Sequence, residues 1–222
     1  MTGKRPFDVA ASAAGLLVLA PLIAALALWI KLDSPGPVFY RGERGGLKNR
    51  PFRIFKFRSM VTNAEKIGGA STSAGDPRIT RSGRFIRRYK LDEFAQLLNV
   101  LAGDMSLVGP RPEVLKYTRQ YTGELAEILD VRPGITDWAS IWNSDEGAVL
   151  EGASDPDRAF EILIQPTKLR LQLRYARERT FWTDLKILVY TVRRLIDFRF
   201  YPAELTGIPR PEPGAGRRLE TG

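Results

Sequence analysis

The 222-residue chain contains neither cysteine nor histidine. These absences exclude a disulfide framework, a thiolate nucleophile, a Cys/His zinc site and a Ser-His-Asp triad. A bound metal ion would need oxygen ligands, which favours Mg²⁺, Mn²⁺ or Ca²⁺. Any catalytic acid, base or nucleophile must therefore be a carboxylate, Lys, Tyr, Ser or Thr.

Negative charge is also scarce, because 25 acidic residues face 34 basic ones and the formal net charge is +9. Such an excess favours an anionic partner: nucleic acid, a lipid headgroup surface or a phosphorylated small molecule. Composition alone does not choose among the three. The cations concentrate at 41–58 and 78–90, and neither segment matches a helix-turn-helix, zinc-finger or RNA-recognition signature.

The most apolar segment has no charged residue over the 22 positions between Asp8 and Lys31. A straight helix of that length covers about 33 Å, enough for a bilayer core of about 30 Å. Pro21 lies inside the run and predicts a kink or break, and both flanks are basic, which favours the cytoplasmic side for each. We therefore expect a helix that enters the membrane, bends at Pro21 and returns. A straight span and a signal peptide are the alternatives.

The rest of the sequence predicts a small, mostly helical α+β domain. Residues 34–59 indicate a short β-hairpin, with Lys56 and Arg58 on one strand face. Helices are predicted over 82–101, 113–130, 156–179 and 180–198, the last capped by Thr180. The first of these carries an apolar stripe formed by Leu91, Phe94, Leu98 and Leu101. The acidic stretch 143–157 reads as a loop, and we divide the chain into a membrane helix (1–32), a catalytic domain (33–200) and an irregular Pro/Gly-rich tail (201–222).

Asp92 and Glu93 directly follow the second cationic segment, on the polar side of the predicted helix. Neighbours on a helix point about 100° apart, so the two carboxylates cannot do the same job. Arg88 lies four residues before Asp92, near enough to pair with it. One carboxylate could attack phosphorus while the other holds Mg²⁺ on the departing phosphate. An ordinary exposed acid pair is the simpler alternative.

The segment 103–112 combines two glycines with Pro110 and Pro112, which would hold Arg111 in one place. A guanidinium binds phosphate oxygens through two parallel hydrogen bonds, which suits a diphosphate substrate. A rigid turn with a surface arginine is the alternative interpretation.

With these motifs in view, the chain resembles the bacterial sugar transferases. It is similar to their short form, the monotopic phosphoglycosyl transferases that move a sugar 1-phosphate onto a polyprenyl phosphate. The LDE, QLLNV and GDMSLVGPRP motifs within 91–112 are the most specific part of the resemblance. The matching stretches occur in family order at 4–8, in the apolar run with Pro21, and at 55–60, 91–100, 103–112, 131–136 and 184–186.

The resemblance implies a reaction and a set of roles. Asp92 would attack the β-phosphate of a UDP-sugar, release UMP and carry the phosphosugar until a polyprenyl phosphate, usually undecaprenyl phosphate, accepts it. Asp92 and Glu93 would hold the Mg²⁺ that the family requires. Substrate phosphate would be bound by Arg111, Lys56, Arg87 and Arg88, with Asp184, Asp104 and Pro112 supporting the site.

The resemblance also implies a place for the protein. The first helix would be re-entrant and broken at Pro21, and the catalytic domain would lie with amphipathic helices on the cytoplasmic face of the bacterial inner membrane. The expected partners are a UDP-sugar, a polyprenyl phosphate and membrane lipid, but not nucleic acid, and a homodimer is compatible with the sequence. By this resemblance we expect a short-form member, without the extra spanning helices of long members.

Two departures from the family pattern limit the transfer of roles. Ala20 precedes Pro21 where serine is common, and Asp137-Trp138 stands where many members have glycine. Sugar and nucleotide contacts are therefore not transferred to the region after 136. Two other functions stay open from the residues alone: a membrane-anchored nucleic-acid-binding protein, and a metal-dependent phosphoesterase using the same carboxylates with water.

Overall fold

A computed structural model describes residues 3–69, 71–197 and 199–219. The described chain is mostly helical with short strands, which confirms the predicted fold class. The α-helices are α1 Lys4–Asp33, α2 Ala64–Ile67, α3 Arg81–Arg88, α4 Leu97–Ala102, α5 Leu115–Thr118, α6 Trp138–Trp142, α7 Glu146–Val149, α8 Pro156–Leu163, α9 Gln165–Glu178, α10 Phe181–Ile196 and α11 Ala215–Arg218. The strands are β1 Phe39–Tyr40, β2 Glu43–Gly45, β3 Pro51–Arg53, β4 Lys56–Phe57, β5 Ser106–Val108 and β6 Gly134–Thr136. Segments of 3₁₀ helix are Leu47–Asn49, Leu91–Gln96, Gly123–Asp130 and Ala203–Leu205.

Helix α1 is long and apolar enough to cross a membrane. It continues without interruption through Pro21, so the expected break at this residue is corrected. Proline removes one backbone donor from a helix, but its fixed φ is itself helical, so the chain can stay helical on both sides. Large apolar side chains remain exposed along α1, among them Leu17, Val18, Leu28 and Leu32.

Both ends of α1 are fastened to the same domain. Near its start, Arg5 Nη1 donates to the Val100 carbonyl at 2.7 Å. At its end, the Asp33 carboxylate accepts hydrogen bonds from the backbone N–H and the hydroxyl of Ser82, each at 2.8 Å. The two flanks of the apolar segment therefore lie on one body, in agreement with the basic charge of both flanks.

The last turn of α1 is closed by Arg58, which is buried. Its guanidinium donates to the carbonyls of Ser34 at 2.7 Å and Ile30 at 3.3 Å, and also to Pro35. Carbonyls at a helix end lack intrahelical partners, and this side chain supplies donors for them. Arg58 therefore holds the end of α1, whereas Lys56, predicted to lie on the same strand face, has other partners.

The strands form three two-stranded pairs. β1 pairs antiparallel with β4 and β2 with β3, which confirms the predicted hairpin region. β5 and β6 form a parallel pair that the sequence did not predict. At the first residue of β6, a Cβ atom on Gly134 would lie 2.0 Å from the Gly109 backbone nitrogen, so only glycine permits the close approach. This contact anchors the loop that carries Arg111.

The single helix predicted over 82–101 is instead three segments. α3 ends before Lys90, whose φ of 56° is left-handed, and a 3₁₀ helix and then α4 follow. The predicted stripe is consequently wrong, since Leu101 is 37% exposed while Ala95 and Val100 are buried. A left-handed residue turns the chain and resets which side chains share a face.

Other element boundaries differ in the same way. The helix predicted over 113–130 is α5 followed by a 3₁₀ helix, and the one over 156–179 is divided at Ile164 into α8 and α9. The acidic stretch 143–157 is not wholly a loop, because it contains α7, capped by the Asp145 side chain. α10 begins after Thr180, whose hydroxyl accepts from the Thr183 N–H, as predicted.

The core consists of two clusters. The larger includes Trp138, Tyr175 and Ile187; the smaller packs the end of α1 against β4 and α3. The C-terminal tail, expected to be irregular, contains the 3₁₀ helix Ala203–Leu205 and α11, and it packs on the larger cluster. Leu205 is fully buried, and Trp142 Nε1 donates to the Pro209 carbonyl at 2.9 Å.

Candidate active site

Asp92 and Glu93 lie in the 3₁₀ helix that begins after the left-handed Lys90. Asp92 is 7% exposed, so the dyad is not the exposed acid pair of the simpler interpretation. Lys56, on the neighbouring strand β4, places its Nζ 3.4 Å from Asp92 Oδ2 and 3.5 Å from Glu93 Oε1. One ammonium group thus faces both carboxylates.

Arg111 binds the second carboxylate from the opposite loop. Its Nη1 donates to Glu93 Oε2 at 3.0 Å and its Nη2 to Glu93 Oε1, which makes a bidentate pair. Burial alone would raise the pKa of Glu93, but Arg111 and Lys56 outweigh it and hold that pKa well below its ordinary value. Glu93 therefore stays ionised, and its charge is opposed by two cations.

A second buried charge cluster lies next to Arg111. Lys168 on α9 has its Nζ 2.5 Å from Glu113 Oε1 and 2.8 Å from Glu146 Oε1. Burial alone would lower the pKa of Lys168, but these two carboxylates raise it, so the ammonium stays charged. The field of Glu146 also reaches Arg111. Sequence reasoning missed these residues, because contacts between α7 and α9 leave no signal in local spacing.

Asn99, fully buried in α4, holds β4 beside the dyad. Its side chain accepts from the Phe55 N–H at 2.7 Å and donates to the Arg53 carbonyl at 2.9 Å. It also donates to Asp104 Oδ2 at 3.2 Å, which gives Asp104 an indirect part in placing Lys56. A polar residue inside the apolar pattern of 97–102 was the available signal for Asn99.

Comparison with known proteins places this site in a family, since the sequence model of the bacterial sugar transferases matches residues 1–197. The chain belongs to the bacterial sugar transferase family. It is 44% identical, over 88% of its length, to the undecaprenyl-phosphate glucose phosphotransferase of Komagataeibacter xylinus. It is 38% identical, over 85% of its length, to the UDP-glucose:undecaprenyl-phosphate glucose-1-phosphate transferase of Escherichia coli K12.

These two relatives are much longer than the chain, which covers 36% and 39% of their respective lengths. A relative of similar length is the exopolysaccharide production protein PSS of Rhizobium leguminosarum bv. phaseoli, 52% identical over 85% of the chain and 92% of the relative.

Not all the sugar transferase residues expected at the site meet there. Lys56, Asp92, Glu93 and Arg111 come together, and Pro112 follows Arg111 in its loop. Arg88 does not pair with Asp92, because the turn at Lys90 removes the helical spacing; within the described ranges, neither Arg87 nor Arg88 has an ion pair to the dyad.

Asp184, the remaining expected residue, is buried in α10, and its polar contacts are with other residues. It pairs with Lys4 and accepts from the Tyr175 hydroxyl at 2.6 Å. Lys4 Nζ also donates to the Val108 carbonyl at 3.0 Å. Asp184 and the Val108 carbonyl together thus fasten Lys4, at the start of α1, to α10 and β5.

A metal ion at this site would need help from the substrate. In the described parts of the chain, no group of three or more acidic side chains could hold a metal by itself. Mg²⁺ usually binds one or two carboxylates together with water and substrate phosphate, and Asp92 and Glu93 fit that pattern. Glu93 gives both oxygens to Arg111, so Asp92 is the carboxylate with a less occupied oxygen.

Proposed function

We propose that the chain transfers a sugar 1-phosphate from a UDP-sugar to a polyprenyl phosphate, giving a polyprenyl diphosphate sugar and UMP. The observation that carries the proposal is the Asp92 carboxylate beside Lys56 and the Glu93–Arg111 pair, in a member of this family. The names of two relatives support undecaprenyl phosphate as acceptor and a UDP-sugar as donor.

The site offers a nucleophile and counter-charges for a diphosphate. An oxygen of Asp92 forms a bond to the β-phosphorus while the bond from that phosphorus to the bridging oxygen breaks, so UMP leaves with the bridging oxygen. An oxygen of the polyprenyl phosphate then attacks the same phosphorus and releases the aspartate. Lys56 and Arg111 oppose the negative charge that would otherwise keep a carboxylate away from a phosphate.

Mg²⁺ is the cofactor we propose, and Asp92 and Glu93 would hold it together with the substrate diphosphate. When bound, it would neutralise charge on the diphosphate and the leaving phosphate. Because Arg111 occupies both oxygens of Glu93 here, the substrate's phosphate competes with Glu93 for this guanidinium.

The proposed location is the cytoplasmic face of the bacterial inner membrane. Its support is the apolar helix α1, the basic flanks, and the attachment of both helix ends to one domain. A second apolar surface, along α10, exposes Trp182, Val189, Val192 and Ile196 and suits contact with lipid.

The deciding experiment is a UMP-release screen on the full chain in lipid nanodiscs, with Mg²⁺ and a panel of UDP-sugars. With at least one donor, we expect repeated turnover to UMP and a lipid-linked sugar. This turnover should require undecaprenyl phosphate. Formation of free sugar phosphate at the same rate with and without undecaprenyl phosphate would show a phosphoesterase. Absence of UMP release from the whole panel, with salt-dependent binding of random DNA, would favour the nucleic-acid alternative.

A further inference from the structure

The backbone of Arg111 is held by hydrogen bonds on both sides. Its N–H donates to Asp137 Oδ2 at 3.2 Å, and its carbonyl accepts from Gln172 Nε2 at 3.2 Å. Asp137 caps the start of α6 and Gln172 lies in α9, so two separate elements hold the two peptide units that flank the Arg111 Cα. Pro110 and Pro112 restrict the backbone on either side of Arg111 from within the chain.

Asp137 is a fully buried carboxylate with a divided task. Its Oδ1 accepts from the backbone N–H of Ser140 at 2.7 Å and from the Ser140 hydroxyl at 2.8 Å, which caps α6. Its Oδ2 is turned to Arg111. A helix cap alone needs only one of these oxygens, so the second contact is additional to the cap.

Gln172 makes the complementary contact from the other side. It is 1% exposed, and it lies one turn beyond Lys168, which holds Glu113 two residues after Arg111. The loop is also bonded to both ends of β6. The Gly109 N–H donates to the Thr136 carbonyl and the Gly134 N–H donates to the Pro110 carbonyl, each at 3.0 Å. The Arg111 side chain therefore starts from a backbone with little freedom.

We infer that Asp137 is a positioning residue for Arg111, with Gln172 as its partner on the opposite side. The inference rests on the proposed function, in which the Arg111 guanidinium binds the substrate diphosphate. A bidentate contact with phosphate tolerates little displacement of the guanidinium, so a fixed backbone preserves substrate binding. This gives a role to the residue that departs from the family's common glycine.

The first test measures the contact without using activity. Pro110 and Pro112 have no N–H, so Arg111 carries the only exchangeable amide between Gly109 and Glu113. Asp137→Asn keeps an oxygen for Ser140 but presents an NH₂ group to the Arg111 N–H. An NH₂ group cannot accept a hydrogen bond, so the contact with Arg111 is lost. Hydrogen–deuterium exchange at Arg111 in the nanodisc-embedded chain should become about tenfold faster, as expected for loss of one hydrogen bond to a charged group.

The matched control is Ser140→Ala, which removes a donor from the other oxygen of Asp137 and leaves Arg111 untouched. The exchange rate at Arg111 should stay within about twofold of its value in the parent chain. Repeated measurements on the parent chain define the variation against which this is judged. Unchanged exchange in Asp137→Asn, or equal acceleration in the control, would overturn the inference whether or not the enzyme turns over.

The second test is a double-mutant cycle on the KM for the UDP-sugar. Asp137→Asn should raise KM about tenfold with kcat within about twofold, and should add no further increase in an Arg111→Ala background. Gln172→Leu serves as a second variant should Asp137→Asn fail to fold, with the same expectation. Additive effects would mean that Asp137 acts through general stability. An inactive parent chain would instead contradict the proposed function, and the exchange test would still decide the inference.

Discussion

Asp92 and Glu93 are neighbours in sequence, yet their carboxylates are bound very differently. Glu93 receives two hydrogen bonds from Arg111, whereas Asp92 has only the 3.4 Å contact of one oxygen to Lys56 among the described residues. A carboxylate without strong donors keeps more of its nucleophilicity than one in a bidentate pair. This difference supports the proposed roles, in which Asp92 attacks and Glu93 balances charge.

Asp92→Asn should abolish turnover and any covalent phosphosugar on the protein, because a carboxamide cannot replace the attacking oxygen. The measurement is UMP release, together with retention of label from a UDP-sugar labelled in the β-phosphate. Asp130→Asn, which removes only an exposed pair with Lys48, is the matched control and should retain full activity. A fully active Asp92→Asn variant would refute the assignment.

Glu93→Gln should change how stability depends on pH. The pKa of Glu93 is lowered on folding, so its contribution is present above its unfolded value of about 4.3 and is lost as the pH falls below it. The melting temperature of Glu93→Gln should therefore lie below that of the parent at pH 7, and the gap should narrow towards pH 3. The exposed Glu151→Gln is the control, with no such trend; a constant gap for Glu93→Gln would contradict the ion pair.

At this scale, sequence reasoning found the dyad and Arg111 but not how they pair. Arg88 was the predicted partner of Asp92, and Lys56, 36 residues away, takes that place. Spacing along one helix predicts pairs three or four residues apart; it contains no information on contacts made by folding strand β4 or helix α9 onto the site.

Among the elements, the turn at Lys90 decides the shape of the site. A lysine with φ of 56° is strained by about 1–2 kcal/mol relative to ordinary backbone. The turn at Lys90 ends α3 and starts the 3₁₀ helix that contains Asp92 and Glu93. The strained backbone therefore sets the direction of these two side chains. Its positive charge also lowers the pKa of Glu93, after Arg111 and Lys56.

Lys90→Gly should therefore separate stability from substrate binding. Glycine adopts the left-handed conformation without strain, and we expect a gain of up to about 1 kcal/mol in the free energy of unfolding. Loss of the charge should raise the KM for the UDP-sugar. Lys48→Gly is the control, since Lys48 has the same φ of 56° but pairs with Asp130 on the surface, and its KM should not change. An unchanged KM in Lys90→Gly, or a loss of stability, would contradict this account.

Element prediction succeeded where the signal was local and failed where it was not. Thr180 gave the start of α10, because a threonine cap acts on the next three residues. The helix over 82–101 was predicted too long, because the conformation of Lys90 comes from its tertiary surroundings. The parallel β5–β6 pair was not predicted, because strands of three residues carry little periodicity.

For the whole molecule, the attachment of both α1 ends to one domain constrains how it meets a membrane. The start is fastened by Arg5 and Asp184, and the end by Arg58 and Asp33. A straight crossing would carry one end to the far side of the bilayer and break one set of contacts. The native contacts therefore favour both flanks on one side.

Single cysteines can test this directly, because the chain has none of its own. Thr2→Cys, Pro37→Cys and Thr122→Cys, the last on the domain surface, should all react with a membrane-impermeant maleimide from the same side of bacterial vesicles of known orientation. The Thr122 variant is the reference for the side of the domain. Labelling of the Thr2 and Pro37 variants from opposite sides would show a through-span.

Composition predicted the fold class and the apolar anchor well, since both depend on properties summed over many residues. It did not predict that the tail packs on the core through Leu205, because prolines and glycines indicate irregular backbone and not whether that backbone is buried. Mg²⁺ stays a prediction, and the homodimer stays an arrangement that the sequence only allows.

The Arg58 contacts at the end of α1 also have a consequence for reach. Arg58 follows Lys56 by two residues, about 7 Å along an extended chain. Arg58, which binds the end of α1, and Lys56, which supplies the ammonium group of the site, therefore lie in the same short segment. In a bilayer, the depth of α1 would set the height of Lys56 above the lipid surface. The distance between the site and the phosphate of the lipid acceptor would therefore be fixed by the fold and not by diffusion of a tethered domain.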